Sequence, residues 1–315
     1  MLYNTTIPEL WERMDMSTLR VHAPSMVLLV CGGKIDVKAL KPPSLREAVS
    51  RMIDKDPFSR FSMLLAEHLE AFFPRGNYRD ILRFENDLAQ IAHIVLLISE
   101  SFGSAAELGA FVMVEEIAKR LLVVIDHENY AENSYIKLGP LRFLESEYGG
   151  SAVCVLHLDE LNIKTIRDVG DVHADVLLDR IGAAIKSRLP TTKEPSRFDA
   201  SKSGHLVKLA VGLIQHYGAL TLTEIQLHMD ALGVNVREER LDELLLCAEF
   251  AEWIWRQKQG VKTYFITRGG NEAISYKTRA GLEVIDKDRW RADIAAYWRA
   301  SDPGRFHTIQ KALAK

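Results

Sequence analysis

Four uninterrupted apolar runs constrain this chain more than any other feature: Met26–Cys31 (MVLLVC), Ile94–Ile98 (IVLLI), Leu121–Ile125 (LLVVI) and Ala152–Leu156 (AVCVL). None alternates polar with apolar residues, so a strand built from any of them has both faces buried, as in a parallel sheet covered by helices. Helical spacing fills the intervals at Phe61–Leu69, Ile81–Ala92 and Ser104–Arg120. The last of these ends in Lys119 and Arg120, which suit the negative end of a helix dipole. A weaker strand candidate, Ala71–Phe73, precedes Pro74. Strands alternating with helices imply a doubly wound α/β domain, and such sheets bind ligands beyond the C-terminal ends of their strands. That rule selects Gly32–Gly33, Glu100–Gly103 and the segment from Asp126 onward.

The texture changes after about residue 158. Leu161–Ser187 reads as helical, and Leu189–Asp199 (LPTTKEPSRFD), polar with two prolines, reads as a linker. Helical patterns follow at Leu206–His216, Leu222–Leu232 and Arg237–Glu249. Two strand-like stretches, Ala251–Arg256 and Lys262–Thr267, are joined by Gln257–Gly260. Three helices and a hairpin predict a winged helix-turn-helix.

Charge and cysteine usage narrow the function. The 315 residues carry 40 Lys+Arg against 43 Asp+Glu, a net charge of -3, so no bulk basicity announces nucleic-acid binding. From Arg197 onward the balance is only mildly basic, 18 Lys/Arg against 15 Asp/Glu. Cys31, Cys154 and Cys247 are too few and too far apart for a disulfide framework or zinc knuckle, and this usage fits a reducing cytoplasm. The N-terminus lacks the basic start and apolar core of a secretory signal. No apolar stretch approaches the roughly 20 residues that span a bilayer. We therefore expect a cytoplasmic protein with no membrane partner and no metal; His205, His216 and His228 show no ligand spacing.

The chemistry centres on Glu100–Phe111 (ESFGSAAELGAF), which follows a buried strand and opens a helix. Gly103 permits close approach of a ligand to the backbone, and the free N–H groups of the helix favour a polar or anionic group. Glu107 is placed in the first turn, where a carboxylate can face the anomeric carbon of a ribose and stabilise an oxocarbenium-like state. The structural alternative is that Ser104-x-x-Glu107 is a capping box. Gly32 and Gly33 suit a turn over ribose or phosphate, or simply a tight turn; Cys31 reads as a small packing residue. Tyr135 and Arg142, flanking the Gly139-Pro140 turn, and Glu85, on the helix with Asp87, are further candidates to face the site.

Four segments, LLVCGG (Leu28–Gly33), FENDLA (Phe84–Ala89), LLISESFGSAAELGAF (Leu96–Phe111) and YIKLGPLRFL (Tyr135–Leu144), together resemble the effector proteins encoded beside retron reverse transcriptases. Those effectors are nucleoside-deoxyribosyltransferase-like and carry a C-terminal winged helix. The resemblance spans residues 26–145 and implies an α/β, Rossmann-like parallel sheet followed by a winged helix-turn-helix. It implies that Glu107, in the ELG motif, is the catalytic carboxylate. Gly32, Gly33, Glu85, Glu100, Ser101, Gly103, Ser104 and Tyr135 are the expected substrate-binding positions. The acid that deoxyribosyltransferases often carry six residues before this glutamate is replaced by Ser101, with Glu100 one step further back. The implied layout is an N-terminal helical extension over 1–24, a catalytic domain over 25–158, helix and linker over 159–199, a winged helix over 200–285 and a helical tail over 286–315.

The resemblance further implies an antiphage toxin that cleaves the nicotinamide–ribose bond of NAD, its substrate rather than a cofactor. It would be held with the reverse transcriptase and its multicopy single-stranded DNA, in a homo-oligomer or higher-order assembly. Two alternatives stand beside this: a deoxyribosyl- or ADP-ribosyl-transferase, and a non-enzymatic DNA-binding nucleotide sensor. For the latter, Arg237 and Arg240 on the recognition helix and Arg256, Lys258 and Lys262 on the wing are the candidate contacts for nucleic acid or a docking partner. Glu238, Glu239, Asp242 and Glu243 crowd the same helix and oppose phosphate binding. Trp253 and Trp255 are read either as base-stacking or as packing residues, and Trp290 and Trp298 as self-assembly or core residues.

Overall fold

The computed structural model describes residues 9–65, 77–166, 168–189, 195–284 and 286–313. They begin with a single helical turn, α1 (Leu10–Arg13), and a strand, β1 (Met14–Val21). Next come β2 (Val27–Cys31), α2 (Leu45–Ser50), β3 (Ser62–Leu65), α3 (Ile81–Ile91), β4 (Ile94–Ile98), α4 (Phe102–Val112) and α5 (Glu115–Ala118). These are followed by β5 (Leu121–Asp126), α6 (His127–Ala131), α7 (Arg142–Tyr148), β6 (Val153–Leu156) and α8 (Ala174–Arg188). The remainder holds β7 (Ser196–Arg197), α9 (Ser203–Tyr217), β8 (Ala219–Leu220), α10 (Leu222–Ala231) and α11 (Glu238–Phe250). The last elements are β9 (Ile254–Gln259), β10 (Lys262–Thr267), β11 (Ile274–Thr278), α12 (Lys287–Ser301) and α13 (Pro303–Leu313). The chain divides into two compact units, one of residues 26–71 and 81–193, the other of 1–25, 72–80 and 194–315.

The first unit is built on five parallel strands in the order β3-β2-β4-β5-β6. The four apolar runs supply four of them, and β2, β4 and β5 are buried along their whole length. Alternate residues face opposite sides. Leu28 and Val30, Leu96 and Ile98, and Leu122 and Val124 pack with Leu45 and Val49 of α2 and with Leu177, Ile181 and Ile185 of α8. The opposite face, which includes Leu29, Cys31, Val95 and Leu97, lies under α3 and α4.

The fifth strand was not expected where it lies. Ser62–Leu65 falls in the stretch read as a helix over Phe61–Leu69, yet it pairs in parallel with β2, Val27 opposite Ser62 and Val30 opposite Leu65. A short apolar cluster is compatible with either period, and the open edge of β2 decides between them. The Ala71–Phe73 candidate lies outside the described residues. The helix expected over Leu161–Ser187 begins only at Ala174. Leu161, Ile163 and Val169 are buried in the same core from turns, and α8 packs on β5 and β6. The helix expected over Ser104–Arg120 starts at Phe102 and breaks after Val112, because Val114 takes an extended conformation before α5.

In the second unit β1 is central to a three-stranded antiparallel sheet, β11-β1-β7. The expected N-terminal helical extension is thus a strand from Met14, with Met14, Leu19 and Val21 buried; part of the expected linker, Ser196–Arg197, is its partner. The helices α9, α10 and α11 match the expected three. A second small sheet, β8-β10-β9, joins the hairpin to the short strand between α9 and α10. The first hairpin strand starts at Ile254, not Ala251: Glu252 adopts φ 57 and the Trp253 N–H donates to Ala248 O, closing α11. Trp253 is therefore a core residue, its indole N–H donating to Ser25 Oγ. Trp290 and Trp298 are buried too, with their indoles donating to His216 O and Tyr217 O.

Candidate functional site

The strand order reverses between β2 and β4: β3 lies beyond one, β5 and β6 beyond the other. The crevice outside the C-terminal ends of those two strands is where an α/β sheet of this kind accommodates a ligand. Cys31 is the last residue of β2 and its side chain belongs to the face covered by α3 and α4. Those helices contribute Glu85 and Glu107, and the Cys31 thiol lies beside the Glu107 carboxylate. Arg46, in the first turn of α2, brings a cation to the same group, and its Nη1 donates to Gly32 O at 3.4 Å.

Two carboxylates, a thiol and a guanidinium are therefore gathered where water is scarce. Burial raises Glu85 from the usual 4.5 to about 7, with the neighbouring Glu107 charge adding to the rise and Arg46 opposing it. Burial also raises Glu107, opposed by Arg46 and by the neighbouring Cys31 thiol. The Cys31 thiol is pushed well above its usual value by burial and by the two carboxylates, so it is neutral and not a nucleophile. Glu107 Oε2 is buried with no hydrogen-bond partner among the described residues. A buried acceptor without a partner is costly, and here it marks a carboxylate kept available.

Glu107 is not a helix cap. The N-cap of α4 is Ser101, which forms the capping box with Ser104; Glu107 is the sixth helical residue, in the second turn. The expected box of Ser104 with Glu107 fails because the helix begins earlier, and this leaves Glu107 free of any capping duty. Ser104 is fully buried, accepting from the Ser101 and Glu100 N–H groups at 3.0 and 3.2 Å and donating to Ser101 O. Ser101 and Ser104 thus hold the helix start. Gly103, in that first turn, has open space where a Cβ would be, with only Ser101 Oγ within 4 Å.

Glu100 has its oxygens committed to the protein. Oε1 accepts from the Gly33 and Arg46 N–H groups at 2.7 and 3.0 Å, and Oε2 from the Leu45 N–H at 2.8 Å. It occupies the N-terminus of α2 as an anion would. Gly32 and Gly33 serve this contact: a Cβ on either would come within 2.9 Å of the Glu100 carboxylate. The two glycines are required for an internal carboxylate to approach the backbone. Tyr135 is 85% exposed, its ring beside Gly139, in a segment where Lys137–Leu141 forms a π-helical turn around Pro140. Arg142 is exposed. Asp126, the residue that opens the third loop, caps α6 by accepting from the Asn129 N–H.

Arg46 is not among the residues that sequence spacing singled out. Ser44-x-x-Glu47 is a helix-start pattern that would have put Arg46 in a first turn, and Ser44 does cap α2 by accepting from the Glu47 N–H. Glu47 in turn accepts from Asp36 N–H and Arg51, which also donates to Ala39 O and Leu40 O, fixing the loop before α2. Among the described residues, no group of three or more His, Cys, Asp or Glu side chains is arranged to hold a metal ion, and no helix is long and apolar enough to cross a membrane.

In the second unit most of the candidate docking cations are paired internally. Arg240 meets Glu243 at 2.9 Å, Arg256 meets Asp242 and Glu249 at 3.0 and 2.7 Å, and Lys262 meets Asp302 at 3.2 Å. Arg237 and Lys258 have no ion pair among the described residues.

Known proteins are similar to parts of this chain. One similar protein is the "Retron Ec86 putative ribosyltransferase/DNA-binding protein" of Escherichia coli, 29% identical over 120 residues, covering 38% of this chain and 37% of that one. Another is the "Retron Ec73 putative ribosyltransferase/DNA-binding protein" of Escherichia coli, 31% identical over 68 residues, 22% of each chain. The matched stretches therefore span well under half the length of these curated relatives. The family described as STM3845 retron effector protein matches residues 42–257. That match covers the Arg46, Glu85 and Glu107 site and more than half of the chain, which belongs to the STM3845 retron effector protein family.

Proposed function

We propose that the chain is an N-glycosidase that cleaves the nicotinamide–ribose bond of NAD, with Glu107 as the carboxylate at the anomeric carbon. The observation that carries this reading is the half-buried Glu107, whose Oε2 is buried and unpartnered among the described residues, at the strand-order reversal of a parallel sheet. As the C1′–N bond breaks, its electron pair neutralises the ring nitrogen, so nicotinamide leaves without a general acid. Glu107 traps or stabilises the oxocarbenium-like ribose. Water adds to C1′, giving ADP-ribose, and its proton passes to solvent or to Glu85. Arg46 acts on Glu107, its positive charge favouring the ionised carboxylate despite burial.

A second reading, glycosyl transfer from a nucleoside or nucleotide with a neutral base, is favoured by Glu85. A carboxyl titrating near 7 can protonate such a base as it leaves, and both curated relatives carry "ribosyltransferase" in their names. Mass spectrometry separates the readings, since a transferase yields an adduct and a hydrolase yields free ADP-ribose.

The same reading assigns a Rossmann-like, deoxyribosyltransferase-like fold to the parallel unit and a winged helix to α9–β10. The chain order helix, strand, helix, helix, hairpin supports the latter, with the single strand β8 pairing to β10. The internally paired Arg240, Arg256 and Lys262 favour a protein-docking role, which suits an antiphage toxin of the cytoplasm held with a reverse transcriptase and its multicopy single-stranded DNA in a higher-order assembly. The deciding experiment incubates the full chain, with and without those neighbours, with NAD, and follows nicotinamide by chromatography. Release by the wild type and none by a folded Glu107→Gln variant is the expected result. Unchanged release by that variant would remove Glu107 from the mechanism.

A further inference from the structure

The C-terminal edge of the parallel sheet carries a second feature that the carboxylate cluster does not use. Beyond β5 and β6 lies a cavity of about 560 Å³. His127, Glu128, His157, Asp159, Asn162 and Lys164 line it, all exposed. The imidazoles of His127 and His157 stack on one another, ring centroids 4.6 Å apart and planes 27° from parallel. His127 directly follows β5 and His157 directly follows β6, so paired neighbouring strands bring the two rings together. The far wall is a tight turn in which the Asn162 N–H donates to Asp159 O and the Ile163 N–H to Leu158 O. Asn162 itself takes φ 58, a conformation asparagine tolerates.

The volume lies in the range of small-molecule sites, and the lining chemistry narrows the ligand. An exposed imidazole stack offers a flat face to another aromatic ring. Glu128 and Asp159 supply acceptors of the kind that bind ribose hydroxyls, and Lys164 supplies a cation for a phosphate. These are the parts of a nucleoside monophosphate. Position narrows the choice further. The carboxylates sit at the ends of β2 and β4, and this cavity at the ends of β5 and β6, in one sheet ordered β2-β4-β5-β6. Their centres are therefore two strand spacings apart, about 10 Å. A single nucleoside cannot fill both places, and a dinucleotide can.

We propose that this cavity holds the second nucleotide of a dinucleotide substrate: its base against the His127–His157 stack, its ribose at Glu128 and Asp159, its phosphate at Lys164. The proposal rests on the N-glycosidase reading and deepens it, because it makes the enzyme selective for dinucleotides over mononucleotides.

Calorimetric binding to the full chain, in the Glu107→Gln background where no turnover intervenes, tests this with AMP, nicotinamide mononucleotide and NAD as probes. The variants are His127→Ala combined with His157→Ala, and Lys164→Ala alone. Stacking on an aromatic side chain is worth about 1–3 kcal/mol per base, so loss of both rings weakens AMP and NAD by about 5- to 150-fold. The affinity for nicotinamide mononucleotide, which has no second nucleotide, stays unchanged. Absence of AMP binding by the parent protein at millimolar concentration, or an equal loss for all three probes, would overturn the assignment. The two readings fail separately. AMP binding through these residues in a chain that releases no nicotinamide supports this cavity and removes only the reaction. Nicotinamide release by wild-type protein whose parent variant does not bind AMP removes only this cavity.

Discussion

Replacing Glu85 with glutamine tests the cost of keeping a buried carboxyl ionised beside Glu107. Glu85 is 8% exposed, and burial together with the Glu107 charge raises it from 4.5 to about 7. Between those two values the native state binds more protons than the unfolded chain, so stability falls as pH rises through the window. The contribution is fully present below about pH 4.5 and lost above about pH 7. A tenfold change in proton affinity corresponds to about 1.4 kcal/mol, so the ionised Glu85 destabilises the native state by about 3 kcal/mol at neutral to mildly alkaline pH. Glutamine has the same shape and does not titrate. The stability difference between Glu85→Gln and wild type should therefore move in favour of the variant by up to about 3 kcal/mol between about pH 5 and pH 8. Urea unfolding of both proteins, followed by far-UV circular dichroism at closely spaced pH values, measures that difference. A difference that is constant across the window would refute the reasoning, whatever its sign, because only a carboxyl that binds its proton more tightly in the folded than in the unfolded chain makes it pH-dependent.

Three further outcomes follow from particular contacts. Gly33→Ala places a Cβ within 2.9 Å of the Glu100 carboxylate and of Ser44 Cβ, and should lower unfolding stability by about 1–3 kcal/mol; wild-type stability would show that the loop yields freely. Arg305→Ala removes a buried guanidinium that lies 3.8 Å from the Trp298 ring centroid and 2.7 Å from Glu224, and should cost about 3–5 kcal/mol in the same assay. Any binding of single- or double-stranded DNA through the Arg237–Lys262 surface should depend weakly on salt. With Arg240, Arg256 and Lys262 already paired, a log–log slope near -2 or shallower is expected from Arg237 and Lys258, and a slope near -5 in filter-binding or anisotropy titrations would show that the internal pairs open.

Much of the parallel unit was legible in the chain. Continuous apolar runs can be satisfied only by burial on both faces, so β2, β4, β5 and β6 declared themselves. Ser62–Leu65 did not, because four residues of mixed character are decided by the free edge of a neighbour. The same holds for β1 and β7. Their residues resemble a helix-and-linker pattern in isolation, and their strand pairing runs from Val21 to Ser196, a distance in sequence that no local pattern reports.

The site divides along the same line. Local sequence placed a helix over Ser104–Arg120 with Glu107 on it, two residues later than its actual start at Phe102, and glycines after the first strand. Only the tertiary structure decided what those residues do. Glu100, a candidate for the ligand, turned out to be bound by the backbone of Gly33, Leu45 and Arg46. Cys31 and Arg46 joined Glu85 and Glu107, although the four come from one strand and three helices separated in the chain. A side chain's protonation and availability depend on what surrounds it in space, through desolvation and Coulomb interaction. Sequence specifies the elements that carry such groups, and packing alone brings their charges together.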